Sequence, residues 1–161
     1  MYDLLQHTYM DAILIGQRKV NECGNLCKMV DRSQLGDTLI IADRGYESYN
    51  LMAHIQEKGW FFLIRTKDIL SPGGIAAGLD LPASETFDIR FDPHLTRRQT
   101  KEAKMLFENR NQYRFLPTGT AVDFLPQRNR KHDPLIFYKV PFRMVRFKIT
   151  DNLFETTIFP W

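Results

Sequence analysis

An aspartate closing an apolar run, followed by arginine, glycine and an aromatic ring, carries the most chemistry in this chain: "LIIADRGY", residues 39–46. A carboxylate at the C-terminal end of a buried central strand sits where α/β sheets place ligands. Nucleases and strand transferases use carboxylates placed this way to hold two divalent ions about 3.5–4 Å apart. One ion activates the attacking oxygen and the other stabilises the leaving one. Magnesium suits such a site, because it takes carboxylate oxygens and keeps several waters. On spacing alone, capping the entrance of the 47–58 helix or bonding Arg44 is the commoner role of such an aspartate.

Cations form the second group. Arg97, Arg98, Lys101 and Lys104 cluster in "LTRRQTKEAK", Arg128, Arg130 and Lys131 in "QRNRK", and Arg143, Arg146 and Lys148 along "RMVRFKIT". Residues 90–150 hold 14 Lys or Arg against 5 Asp or Glu, while the rest holds 8 against 14, so a net charge of +3 hides a basic half. Aligned cations bind phosphate backbones without regard to base sequence, so DNA is the partner this half suggests. A solvated basic surface is the plainer alternative. Cys23 and Cys27 read as reduced thiols on a helix, since no His or Cys lies nearby at zinc-site spacing. His54 reads as a surface histidine and His132 as part of a basic run. "SPGGIAAG" lacks the Lys-Ser/Thr ending of a phosphate-cradling loop.

The elements that must position these groups follow from periodicity. "YDLLQ" and "TYMDAILI" read as paired strands, with a helix capped by Asn21 running to about Arg32. "TLIIA" at 38–42 and "WFFLIR" at 60–65 read as strands buried on both faces, joined by a helix over 47–58 with Glu47 in its first turn. This alternation predicts a parallel edge to a mixed sheet. From residue 69, beginning with a Gly/Pro-rich loop, the chain reads as a β-rich region with strands at "TFDIRF", "QYRFLP", "AVDFLP", "LIFYKV" and "RMVRFKIT". In the last of these, Val145, Phe147 and Ile149 are expected to be buried and Arg146 and Lys148 to face outward. At 161 residues and 43% apolar composition one domain, or one with a large insertion, is expected. No apolar run is long enough for a transmembrane helix and the start lacks a signal-peptide pattern, so a cytoplasmic protein is expected, nucleoid-associated when bound to DNA, with no membrane partner and no small-molecule substrate.

Asp43-Arg44-Gly45-Tyr46 matches the Asp-x-Gly-aromatic signature around the second acid of the DDE-type transposases of bacterial insertion sequences, and nearly the whole chain resembles that family. The resemblance implies an α/β fold: a partial ribonuclease H-like mixed sheet over 1–68, then a basic β-rich insertion region over 69–161. It implies that Asp43 is a catalytic metal ligand for Mg2+ or Mn2+, that Gly45 permits a sharp turn, that Tyr46 lies near the site and that Arg44 approaches a phosphate. The structural alternatives are Tyr46 packing on the sheet and Arg44 pairing with Glu47.

The family needs three acids. No Asp-Gly-Ser/Thr-like strand precedes "YDLL", and none of the six tyrosines has Arg three positions later, so the Tyr-Arg-Glu-Lys helix of the third acid is missing. One carboxylate cannot fix two ions. The expectation is an internal fragment of a DNA transposase, inactive in strand transfer by itself and not a tight metal binder. The alternative is a non-catalytic DNA-binding or interaction module that associates with a full-length transposase chain.

Overall fold

A computed structural model describes residues 1–16, 21–127 and 134–160. Strands β1 (Tyr2–Asp3) and β2 (Thr8–Tyr9) form a small antiparallel hairpin. The expected strand over 8–15 stops at Tyr9. Beyond it Asp11 is drawn off by the Arg32 guanidinium, which donates from Nε at 2.8 Å and from Nη2 at 2.5 Å.

Helix α1 (Glu22–Arg32) begins as its sequence predicts, with Asn21 Oδ1 accepting from Gly24 N at 2.9 Å. Helix α2 (Tyr49–Glu57) begins two residues later than expected, after Ser48. It closes on Gly59 at φ +73, where Gly59 N donates to Gln56 O and Trp60 N to Ile55 O, a paired C-terminal cap that needs a left-handed residue.

Strands β3 (Leu39–Ala42) and β4 (Phe61–Arg65) pair in parallel, Leu39 opposite Phe61 and Ile41 opposite Leu63. The chain then forms β5 (Phe87–Phe91), β6 (His94–Thr96), α3 (Lys101–Leu106), β7 (Tyr113–Phe115), β8 (Tyr138–Lys139), β9 (Phe142–Thr150) and β10 (Leu153–Phe159). The main sheet has the order β3-β4-β10-β9-β5, antiparallel except for β3 and β4, so the parallel edge is present. It unites strands from both sides of residue 68. A three-stranded sheet, β7-β6-β8, holds a parallel pair, β6 with β7, across α3. "AVDFLP" forms a turn rather than a strand.

One sheet face is buried and the other is open. Ile40, Phe62, Ile64, Ile158, Met144 and Phe142 are at most 9% exposed and pack with Leu51, Met52 and Ile55 of α2, against which α1 lies. On the opposite face Leu39 is 54%, Ile41 57% and Phe61 57% exposed, so β3 and β4 are not buried on both sides. The alternation expected for β9 holds only at its start, with the sides reversed, and residues 147–150 are all exposed. Phe142 and Met144 fill the core, Phe147 and Ile149 stand half exposed, and Arg146 lies on the ring of Phe154. Helices cover one face only, and that decides which side is dry.

Candidate functional site

Asp43 follows the last residue of β3, an edge strand rather than a central one. Its backbone is extended (φ −81, ψ 173) and its carbonyl accepts from Tyr46 N at 2.9 Å, closing a one-turn 3-10 helix over Arg44–Tyr46. Its side chain makes no capping bond, so the carboxylate is not spent on the helix start. The nearest cations are Arg65 Nη1 at 3.6 Å and Arg44 Nε at 4.0 Å.

Arg65 is in turn gripped by Glu155, donating from Nε at 2.7 Å and from Nη2 at 2.5 Å. Arg65 and Glu155 share the open face because Arg65 stands opposite Thr157 in the β4–β10 register and side chains alternate along a strand. Beside them a shallow groove of about 320 Å³ is lined by Ile41, Ala42, Leu63, Arg65, Phe147, Glu155 and Thr157. Its walls are mostly apolar, with one ion pair inside.

The rest of the signature adopts structural roles. Gly45 has no left-handed backbone and a Cβ there would meet no atom within 4 Å, so the turn does not depend on glycine. Its carbonyl accepts from Cys23 Sγ at 3.3 Å. Tyr46 packs against the core, and burial raises its hydroxyl pKa. Glu47 does not pair with Arg44; its carboxylate accepts from Ile75 N at 2.6 Å and Lys67 N at 3.0 Å, pinning the Gly/Pro-rich loop to the entrance of α2.

The donor set does not fit a pair of divalent ions. Two guanidiniums already compensate Asp43, and the nearby Glu155 is held by Arg65. Among the described residues no group of three or more His, Cys, Asp or Glu side chains is placed to hold a metal ion.

Among the described residues, several of the candidate cations are held by local partners or buried. Arg97 turns inward, donating to the carbonyls of Pro117 at 2.9 Å and Thr120 at 2.8 Å, and Arg98 is 7% exposed. Arg143 pairs with Asp88, and Lys148 with Asp151 at 2.7 Å. Lys101 and Lys104 are exposed on α3. Arg128, Arg130 and Lys131, with His132, lie outside the described residues.

A second polar centre was not legible in the sequence. His54 is 7% exposed, not a surface residue. Its Nδ1 lies 2.7 Å from Asp31 Oδ1 on α1, and its Nε2 3.0 Å from Asp123 Oδ2 on a loop. Asn50 completes the joint, donating to Asp123 Oδ2 and accepting from Asp123 N. Burial pulls the imidazole pKa down, but bonds to Asp31 and Asp123 outweigh it, and the pKa ends above its ordinary value. The Asp123 pKa is lowered, first by Asn50 and then by His54. Cys27, buried beneath Asn50, has its thiol pushed up to about 12 by desolvation, and both cysteines are free.

A mixed sheet with helices on one face and an acid following its parallel edge strand defines an α/β protein. The family model of the transposase DDE domain matches residues 1–132, and the chain belongs to that family. Transposases act on DNA, and members of the family use divalent metal ions. No curated protein and no solved structure matches the chain. Among the described residues no helix is long and apolar enough to cross a membrane.

Proposed function

We propose that this chain is a transposase-derived DNA-binding module that does not perform strand transfer by itself. The observation that carries the reading is the setting of Asp43, whose carboxylate faces Arg65 and Arg44 while Arg65 holds Glu155. A carboxylate so compensated attracts a divalent ion far less than two or three converging acids do. The parallel β3–β4 pair joined through α2 supports a ribonuclease H-like ancestry for the sheet. Phosphate contact falls to cations with no carboxylate partner, and Lys101 and Lys104, exposed one turn apart on α3, are the described residues best suited to it.

The test is calorimetric titration of Mg2+ into the wild-type chain and into Asp43→Asn, with and without a short DNA duplex, beside duplex binding at two salt concentrations. The reading expects no metal heat in either chain. It also expects duplex binding that weakens with salt and falls further in a Lys101→Ala/Lys104→Ala variant. Metal heat that disappears in Asp43→Asn, or no duplex binding at low salt, overturns it.

A further inference from the structure

Residues 116–127 follow β7 as a strap without regular structure that lies against α2. Its first half is fixed by Arg97, whose guanidinium donates to the carbonyls of Pro117, Thr120 and Val122. Val122 and Leu125 are buried, while Asp123 and Phe124 between them stay exposed. Phe124 stacks on Tyr138 of β8 with ring centroids 5.2 Å apart and meets the His54 ring edge-on at 4.8 Å. Asp123 ties the strap to α2 through His54 and Asn50.

His54 needs hydrogen on both ring nitrogens to make both of its bonds. Nδ1 lies 2.7 Å from a carboxylate oxygen of Asp31, and Nε2 lies 3.0 Å from one of Asp123. An ionised carboxylate only accepts and a neutral imidazole has a single N–H, so only the imidazolium donates to both. When the ring loses a proton, one nitrogen turns its lone pair on a carboxylate and that contact becomes repulsive. The contact to Asp123 is the one that yields, because it is longer and ends on a loop. Asp31 is carried by α1, where Lys58 Nζ donates to its carbonyl at 3.1 Å. The other groups around the ring do not replace its charge. Cys27 keeps its proton, Tyr138 donates its hydroxyl to Glu57 at 2.6 Å, and Arg97 attracts Asp123 whatever the state of the ring.

We propose that His54 is a proton-operated latch, holding the Asp123 end of the strap against α2 while both ring nitrogens carry hydrogen and releasing it when one does not. Release is local. Arg97 keeps its carbonyls, and Asn50 still donates to Asp123 and accepts from its N–H. The strap therefore loosens around residues 122–125, lifting Phe124 from Tyr138 and opening Val122 and Leu125 to water. The folded state raises the proton affinity of the ring, so the latch is closed in mild acid and opens as pH rises through that raised value. This device is independent of the function proposed above.

Nuclear magnetic resonance of the full nitrogen-15-labelled chain, titrated from about pH 5.5 to 9, tests it. The His54 ring nitrogens report protonation, and the backbone amides of Val122, Asp123, Phe124 and Leu125 report the strap. Ring and strap are expected to titrate with one midpoint, while the amides of Thr118 and Thr120 at the Arg97 end stay in place. Above that midpoint the heteronuclear Overhauser effect of the strap amides falls, which a change of charge without motion would not produce. In Asp123→Asn, an exposed site whose replacement keeps the fold, the strap no longer follows pH and His54 titrates at a lower pH. His54→Gln likewise removes the pH response. A strap that stays rigid across the His54 midpoint, one that still follows pH in Asp123→Asn, or helices that melt at the same midpoint overturn the proposal.

Discussion

The guanidinium of Arg65 stands 3.6 Å from the carboxylate of Asp43 while its other nitrogens bind Glu155. Two acids from distant parts of the chain therefore share one organic cation on the open face of the sheet. In Arg65→Ala that cation is gone and the two carboxylates face a vacated space. The variant is expected to bind Mn2+ with at least tenfold higher affinity than the wild type, because two carboxylates relieved of their shared guanidinium favour a divalent ion, Arg44 alone remaining beside Asp43. Manganese titration followed by electron paramagnetic resonance measures this. Adding Asp43→Asn to Arg65→Ala must abolish the gain.

His54 gives a pH dependence with a definite sign. Its pKa is raised in the folded state above an ordinary 6.5, so its contribution is complete below about pH 6.5 and fades as pH rises through the raised value. Asp123 works in the opposite sense. Its pKa is lowered from 3.8, so its contribution is complete above that value and is lost only as pH falls through the lowered one. Thermal unfolding midpoints are expected to be highest between about pH 4 and 6.5 and to fall on the alkaline side. In His54→Gln the alkaline fall should largely vanish, with the acid-side midpoint reduced by about 2 kcal/mol of stability. An unchanged alkaline slope in that variant would show that other groups set it.

Glu47 holds two backbone donors from the loop after β4, Lys67 N and Ile75 N. Glu47→Ala leaves both without their partner and is expected to cost about 2 kcal/mol. Urea unfolding measures the loss. Limited proteolysis should show faster cutting between residues 67 and 75, and an unchanged cleavage rate would count against the clamp.

Phe142 is fully buried, stacked on Phe91 with ring centroids 5.4 Å apart and near Tyr49 at 6.5 Å. Phe142→Ala is expected to destabilise by roughly 3–5 kcal/mol, as large aromatic truncations in packed cores do. The matched surface change, Phe147→Ala, removes a ring already 43% exposed and should cost under about 1 kcal/mol. Equal losses in the two would show that the open face is covered in solution.

Local signals located the elements well where the residues carrying them were close in sequence. Asn21 announced α1, Lys58 and Gly59 announced the end of α2, and the β3–α2–β4 unit was legible from its alternation of patterns. Which face of a strand is wet was not legible. Leu39, Ile41 and Phe61 are as apolar as their neighbours, and only the placement of α2 shows that they look outward. The site divided in the same way. Asp43 was visible from its motif, whereas Arg65 and Glu155 are brought together by a β4–β10 pairing that nothing local in either segment announces. His54 was misread because its partner Asp123 lies 69 residues along the chain.

The strand β10 is the last of the described elements in chain order and lies between β4 and β9. Arg65 and Glu155, which face each other across its seam, are 90 residues apart. Pairings over such separations close late, because the loop entropy must be overcome before any contact rewards it. On a translating ribosome β3, α2 and β4 emerge long before their neighbour exists. Their unfinished edges must wait through the synthesis of everything between, exposed to whatever binds nascent chains. Any product ending before residue 153 stays in that waiting state, with two half-sheets and no seam. Synthesis of β10 is therefore the event that commits these strands to one sheet.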